Sequence, residues 1–332
     1  MSNRSTRESV SDDEGLTILL SQMLGSGVFG TAFEGNFHGT RVAAKVVGVK
    51  FSNHASRPFS KAAGCDFDKE CERMKSCKHD NIVQYIKSTT VVLQGKEYPV
   101  LVMTLMETDL RSFLTNQQDD LPPHKEIKIA HDIAKALNYL HVEAKFVHGD
   151  LHSGNVLLKD VRNVMGPEVR LCDFGLAAAI SSMSERYPEL SDLLSESGYT
   201  ASHVATMSMS DSAPASVIED SGYGNAAQNK SATEIEIRRF GTVTWEIHTR
   251  HKPNVGTRHH DNLKEIERRP LHNVVRQCWD ETADINASQL VTTLEELRKS
   301  FPQEKDTRDI LIEKLRKEIE DLKKKLHQQN EN

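Results

Sequence analysis

One stretch, HGDLHSGN at residues 148–155, limits what this chain can be more than any other, because it gathers an acid, an amide and two histidines within eight residues. Asp150 and Asn155 stand five apart, and Asp173-Phe174-Gly175 follows 18 residues after Asn155. Magnesium prefers hard oxygen ligands, so an Asn amide oxygen and an Asp carboxylate are suited to hold it. Asp150 can orient a substrate hydroxyl and accept its proton. The bland alternative is a set of surface turns with capping acids. The joint spacing of all three pieces weighs against it.

Two features lie upstream. Gly25-Ser26-Gly27-Val28-Phe29-Gly30 sits between strand patterns. GxGxxG alone is a weak signal, shared by ordinary hairpins and by the dinucleotide fingerprint. That fingerprint should open a helix, but TAFEGNF follows, with strand character. A glycine hairpin folded over phosphates fits better, because glycine lets backbone approach a ligand closely. Lys45 ends Val42-Ala43-Ala44-Lys45 on an apolar strand. A charge there calls for a partner, and Glu70, on a helix expected over 66–78, is the candidate.

Taken in order, GSGVFG, VAAK, Glu70 ahead of KHDNIV, HGDLHSGN and CDFGLA resemble the signature set of the eukaryotic protein kinase superfamily. The resemblance spans roughly 16–301 and leans to the tyrosine-kinase-like group; FGTVTWEIHTRHKP and RQCWDE resemble helices of its C-terminal lobe. It implies an α+β fold, bilobal, with a β-rich N-lobe (about 16–104) and a helical C-lobe (about 109–301). It also implies MgATP as cofactor and a protein substrate. Gly25, Gly27, Val28 and Gly30 would cover the phosphates, and Lys45, held by Glu70, would contact them. Asn155 and Asp173 would hold magnesium, and Asp150 would be the catalytic base. Ala43 would touch the adenine, Met103 would be the gatekeeper, and Thr104 to Met106 the hinge. Met74, His148 and Phe174 would stack as a spine.

The departures from the pattern fall on control and support. Gly149 stands where most kinases carry the Arg that receives an activation-loop phosphate, so control through Tyr199 or Thr200 is not expected. His152 replaces a Lys that helps neutralise the transferring group, which implies low turnover. Ala32 replaces a Val above the adenine. Ala213-Pro214-Ala215 lacks the Glu that closes the activation segment (173–215), and the stretch after Trp279 lacks its Arg partner. Losing both avoids a buried unpaired charge. Glu236 stands where an Asp braces the catalytic loop, and the substrate platform around it is expected to be the weakest part. The expected function is transfer of the γ-phosphoryl group of MgATP to Ser or Thr of a protein in signalling. A rival is a pseudokinase scaffold that binds ATP and partners. Small-molecule phosphotransferases share an HGDLHxGN-like loop but usually lack such C-lobe helices.

The rest of the chain sets bounds. Residues 1–15 are polar and expected to be disordered. Residues 125–141 place Ile127, Ala130, Ala134 and Leu137 on one helical face. Residues 177–233 are rich in Ser, Asp and Glu and weakly patterned. Beyond Pro302, Ile312, Leu315, Ile319, Leu322 and Leu326 step by 3, 4, 3 and 4. That spacing predicts a coiled-coil-like helix over 306–328, serving a homodimer or a helical partner. A net charge of −6 gives no reason to expect nucleic acid, and no apolar run is long enough to span a membrane. Five cysteines without a disulfide or zinc pattern, and no secretory signal, predict a cytosolic (cytoplasmic) protein.

Overall fold

The computed structural model describes residues 9–27, 30–52, 55–58, 67–179, 231–251, 259–280 and 282–301, with Lys317 and Ile319. Val28, most of the activation segment with Tyr199, Thr200 and Ala215, and the helix expected over 306–328 apart from Lys317 and Ile319 lie outside the described residues.

The N-terminal part is an antiparallel sheet of six strands in the order β1-β2-β3-β4-β8-β7. They are β1 (Ser9–Ser11), β2 (Leu16–Ser26), β3 (Gly30–Phe37), β4 (Thr40–Val47), β7 (Tyr85–Leu93) and β8 (Lys96–Thr104). A short hairpin of β5 (Val49–Ser52) and β6 (Ala55–Pro58) stands apart. Two tight turns set the register. His38-Gly39 and Gln94-Gly95 all take positive φ, the two-residue geometry that matches strand twist.

Residue alternation then divides the sheet into two faces. Val42, Ala44 and Val46 of β4 join Val100 and Val102 of β8 in a small core that also holds Leu16, Ile18 and Phe33. The intervening Ala43, Leu101 and Met103 belong instead to the main core, and Lys45 shares their face of β4. That face meets the helix α1 (Phe67–Ser76), which buries Glu70, Cys71 and Met74. Apolar spacing thus aims one lysine and one glutamate at the same place.

The C-terminal part is helical around α3 (Pro123–Asn138), reached from the sheet through β9 (Thr108–Asp109) and α2 (Leu110–Thr115). Ile127, Ala130, Ala134 and Leu137 are all buried, as their spacing predicts. The expected continuation to 141 changes character: a π-helical turn, Tyr139–Ala144, closes at left-handed Lys145. Two short ladders, β10 (Phe146–Val147) with β13 (Ala178–Ala179) and β9-β11-β12 (Val156–Lys159, Glu168–Leu171), carry the loops between them. Then come α4 (Ala232–Thr249), α5 (His259–Leu263), α6 (His272–Trp279) and α7 (Ala287–Ser300). Helix α7 packs along α3 through Leu290 and Leu294.

One expectation is corrected. Residues 9–15 are not disordered: β1 pairs with β2, and Val10 is buried. Asp12 accepts from the Leu16 N–H at 2.7 Å and from Lys87 Nζ at 2.9 Å, and Glu14 takes Lys87 at 2.5 Å. Polar composition concealed the strand because its partners are backbone and one distant lysine.

Candidate active site

Lys45, buried on β4, donates from Nζ to Glu70 Oε1 at 2.8 Å and to Asp173 Oδ1 at 2.9 Å. Burial opposes its charge, but the Asp173 and Glu70 carboxylates outweigh it and hold the ammonium pKa above its ordinary value. Asp173 answers in kind. Burial pushes its carboxyl up, yet Lys45 prevails and keeps it below the usual carboxylate range. Asp173 takes a left-handed backbone, φ 66°, an uncommon conformation that surrounding structure must hold.

The catalytic-loop stretch is tied down on several sides. Asn155 Nδ2 donates to the Asp150 carbonyl at 2.9 Å and to its Oδ2 at 3.3 Å. The Cys172 N–H donates to the Asn155 carbonyl at 3.0 Å, which locks the loop to the residue before Asp173. His148 is fully buried, meets the Cys172 carbonyl through Nε2 at 2.9 Å, and lies 5.1 Å from the Phe174 ring. Met74, His148 and Phe174 are all buried. Burial, and then the Asp173 carboxylate beside it, raise the Cys172 thiol pKa.

Glu236, expected to be a weak brace, makes a complete one. Its Oε2 meets His141 Nε2 at 2.6 Å and the His148 N–H at 3.1 Å, while Oε1 accepts from the Gly149 N–H at 2.9 Å. Gly149 itself has φ +81°, and a Cβ there would lie 2.3 Å from the Leu176 carbonyl oxygen. Arg239 of α4 donates to the Gly149 carbonyl.

The glycine-rich end of β2 lies two strands from Lys45: Gly25 pairs with Ala32, and Ala32 with Lys45. A Cβ on Gly25 or Gly27 would meet nothing within 4 Å, so packing does not require glycine at either. Gly30 differs, because a Cβ there would lie 2.3 Å from the Val46 carbonyl oxygen. Ala43 faces Met103 across the β4–β8 pair, Val42 faces Thr104, and Met106 is buried nearby in the main core. For a metal the donors fit. Asn155 spends its amide nitrogen on Asp150, and Asp173 spends Oδ1 on Lys45 and the Gly175 N–H. Among the described residues no donor meets Asn155 Oδ1 or Asp173 Oδ2. Two hard oxygens, completed by water and phosphate, suit magnesium.

Sequence reasoning missed Arg239 and His141. No local pattern marks these residues, since each acquires its partner only through the fold.

The family model "Protein tyrosine and serine/threonine kinase" matches residues 18–210. The chain is 27% identical over 281 residues to the dual specificity protein kinase shkC of Dictyostelium discoideum, covering 79% of this chain and 47% of that protein. It is 27% identical over 259 residues to the serine/threonine-protein kinase CTR1 of Arabidopsis thaliana, covering 76% and 27%. It is 26% identical over 317 residues to the tyrosine-protein kinase transforming protein RYK of Avian retrovirus RPL30, covering 88% and 64%. The chain thus spans less than two thirds of the length of each. No helix among the described residues is long and apolar enough to cross a membrane.

Proposed function

Because the chain belongs to the protein tyrosine and serine/threonine kinase family, we propose that it transfers the γ-phosphoryl group of ATP to a Ser or Thr hydroxyl of a protein. The observation that carries this reading is the assembled set: Lys45 held between Glu70 and Asp173, with Asp150 and Asn155 joined beside them. A pseudokinase scaffold that only binds ATP needs Lys45 and the metal-side oxygens but not Asp150 tied to Asn155. The Arabidopsis relative's name is that of a serine/threonine-protein kinase, which supports Ser/Thr acceptors, and the Dictyostelium relative's is that of a dual specificity kinase.

In this reading the acceptor oxygen attacks the γ-phosphorus, the bond to the β-phosphate bridging oxygen breaks, and ADP leaves. Asp150 accepts the hydroxyl proton. Lys45 holds the α- and β-phosphates, while Gly25, Gly27 and Gly30 admit them to the backbone. Ala43 touches the adenine, and the backbone of Thr104 to Met106 meets its edge. Asn155 and Asp173 would hold magnesium, which neutralises charge on the phosphates. Free thiols at Cys71, Cys77, Cys172 and Cys278 support a reducing, cytosolic setting.

The test is transfer from labelled ATP with magnesium, scored as autophosphorylation and on a generic protein acceptor. The parent chain is expected to incorporate label, and Asp150→Asn to lose it by at least about a hundredfold. A parent that incorporates none, while ATP still raises its melting temperature, would leave a nucleotide-binding scaffold instead.

A further inference from the structure

His152 has no role in the chemistry above, yet its surroundings are specific. It stands just before the 3-10 turn Ser153–Asn155 and caps it, with the Gly154 N–H donating to Nδ1 at 3.0 Å. A ring nitrogen that accepts carries no proton, so the neutral ring bears its proton on Nε2. That nitrogen lies 3.6 Å from Asp150 Oδ2, the same oxygen that Asn155 Nδ2 meets at 3.3 Å. Oδ1 of Asp150 meets no donor among the described residues. The ring also rests on the missing side chain of Gly154. A Cβ there would lie 2.9 Å from His152 Cε1 and 3.0 Å from Nδ1.

We propose that His152 is a positioning residue for the base: clipped by the Gly154 N–H, it presents Nε2–H to Asp150 Oδ2 and, with Asn155, turns Oδ1 toward the acceptor hydroxyl. This rests on the kinase reading. At 3.6 Å the contact is too long for a hydrogen bond in the free chain. Contacts of this kind tighten when substrate arrives. The competing account makes His152 a turn cap and nothing more. Asparagine separates the two, because Asn is a good cap but is too short to reach the carboxylate.

The experiment compares kcat, KM for ATP and melting temperature in the full chain, His152→Asn, Gly154→Ala and the double variant. His152→Asn is expected to keep its melting temperature and KM while kcat falls on the order of tenfold. Gly154→Ala, which displaces the ring, should lower kcat similarly. The double variant should match His152→Asn alone, since a ring already removed cannot be displaced. Parental kcat in His152→Asn, or losses that multiply in the double variant, would overturn the proposal. A parent chain with no transfer at all sinks the kinase reading and this proposal together, and that result is read before any variant is compared.

Discussion

Glu236 and Gly149 meet at one hydrogen bond, and each makes a demand on its neighbours that a substitution can expose. The Gly149 backbone is left-handed, and the Leu176 carbonyl occupies the place of a side chain. Gly149→Ala is therefore expected to cost about 1–3 kcal/mol, seen as a lower urea midpoint, with kcat falling because the loop carrying Asp150 must shift. Glu236 makes a pH argument. Burial raises its carboxyl pKa, but the hydrogen bond and charge of His141, the charge of His148 and the Gly149 N–H together carry it below the ordinary 4.5. A group lowered in the folded state contributes fully above its unfolded value, and the contribution is lost as pH falls through the folded one. The parent should thus lose its stability advantage over Glu236→Gln as pH falls from about 4.5. Chemical denaturation of both chains between pH 6 and pH 3 checks this, and a constant difference across that range would contradict it.

At the scale of elements, α4 shows how a sequence specifies a contact as well as a helix. Ser231 and Glu234 form a capping box that sets its start. Gly241 lies where α6 crosses, and a Cβ there would sit 2.7 Å from Cys278 Cβ and 3.0 Å from the Trp279 ring. Alanine gains about 1 kcal/mol of helix propensity but overpacks the crossing at a cost of about 1–3 kcal/mol. Gly241→Ala should lower the urea midpoint, whereas the same change at an exposed helical glycine would raise it. Legibility follows the same division between local and long-range causes. The long strands, the hairpins at Gly39 and Gly95, and the buried stripe of α3 were readable because period and turn chemistry agree. The contact between Lys45 and Glu70 was readable because a charge on an apolar strand calls for a partner. β1, β9 and β13 were not, since strands of two or three residues exist only through their partners. The π-helical turn after Asn138 was hidden inside a continuous helical pattern. Glu236 was misjudged for a similar reason: the extra methylene mattered less than His141, which only the fold brings within 2.6 Å.

Across the whole molecule, the two lobes are joined by more than their covalent connection. Ile82 forms a parallel bridge with Leu171; the Val83 N–H donates to the Leu171 carbonyl at 2.9 Å, and the Leu171 N–H to the Asn81 carbonyl at 2.9 Å. Asn81 Nδ2 reaches the Val169 carbonyl at 2.9 Å. Lys45 of the sheet and Asp173 of the helical lobe, 128 residues apart, complete the junction inside the active site. The family match begins at residue 18, after the outermost strand of the sheet. A chain trimmed to that boundary would lose Asp12 and Glu14, the two anions on Lys87. It would also uncover the edge of β2 that β1 covers at Leu19 and Ile18. An open row of backbone donors and acceptors is a template for another chain's strand. Such a trimmed kinase domain should therefore self-associate as concentration rises, and sedimentation over a dilution series against the full chain would reveal it. In that outcome the seven residues Ser9 to Gly15 would act as a guard against aggregation, a role with no bearing on chemistry and no trace in a motif search.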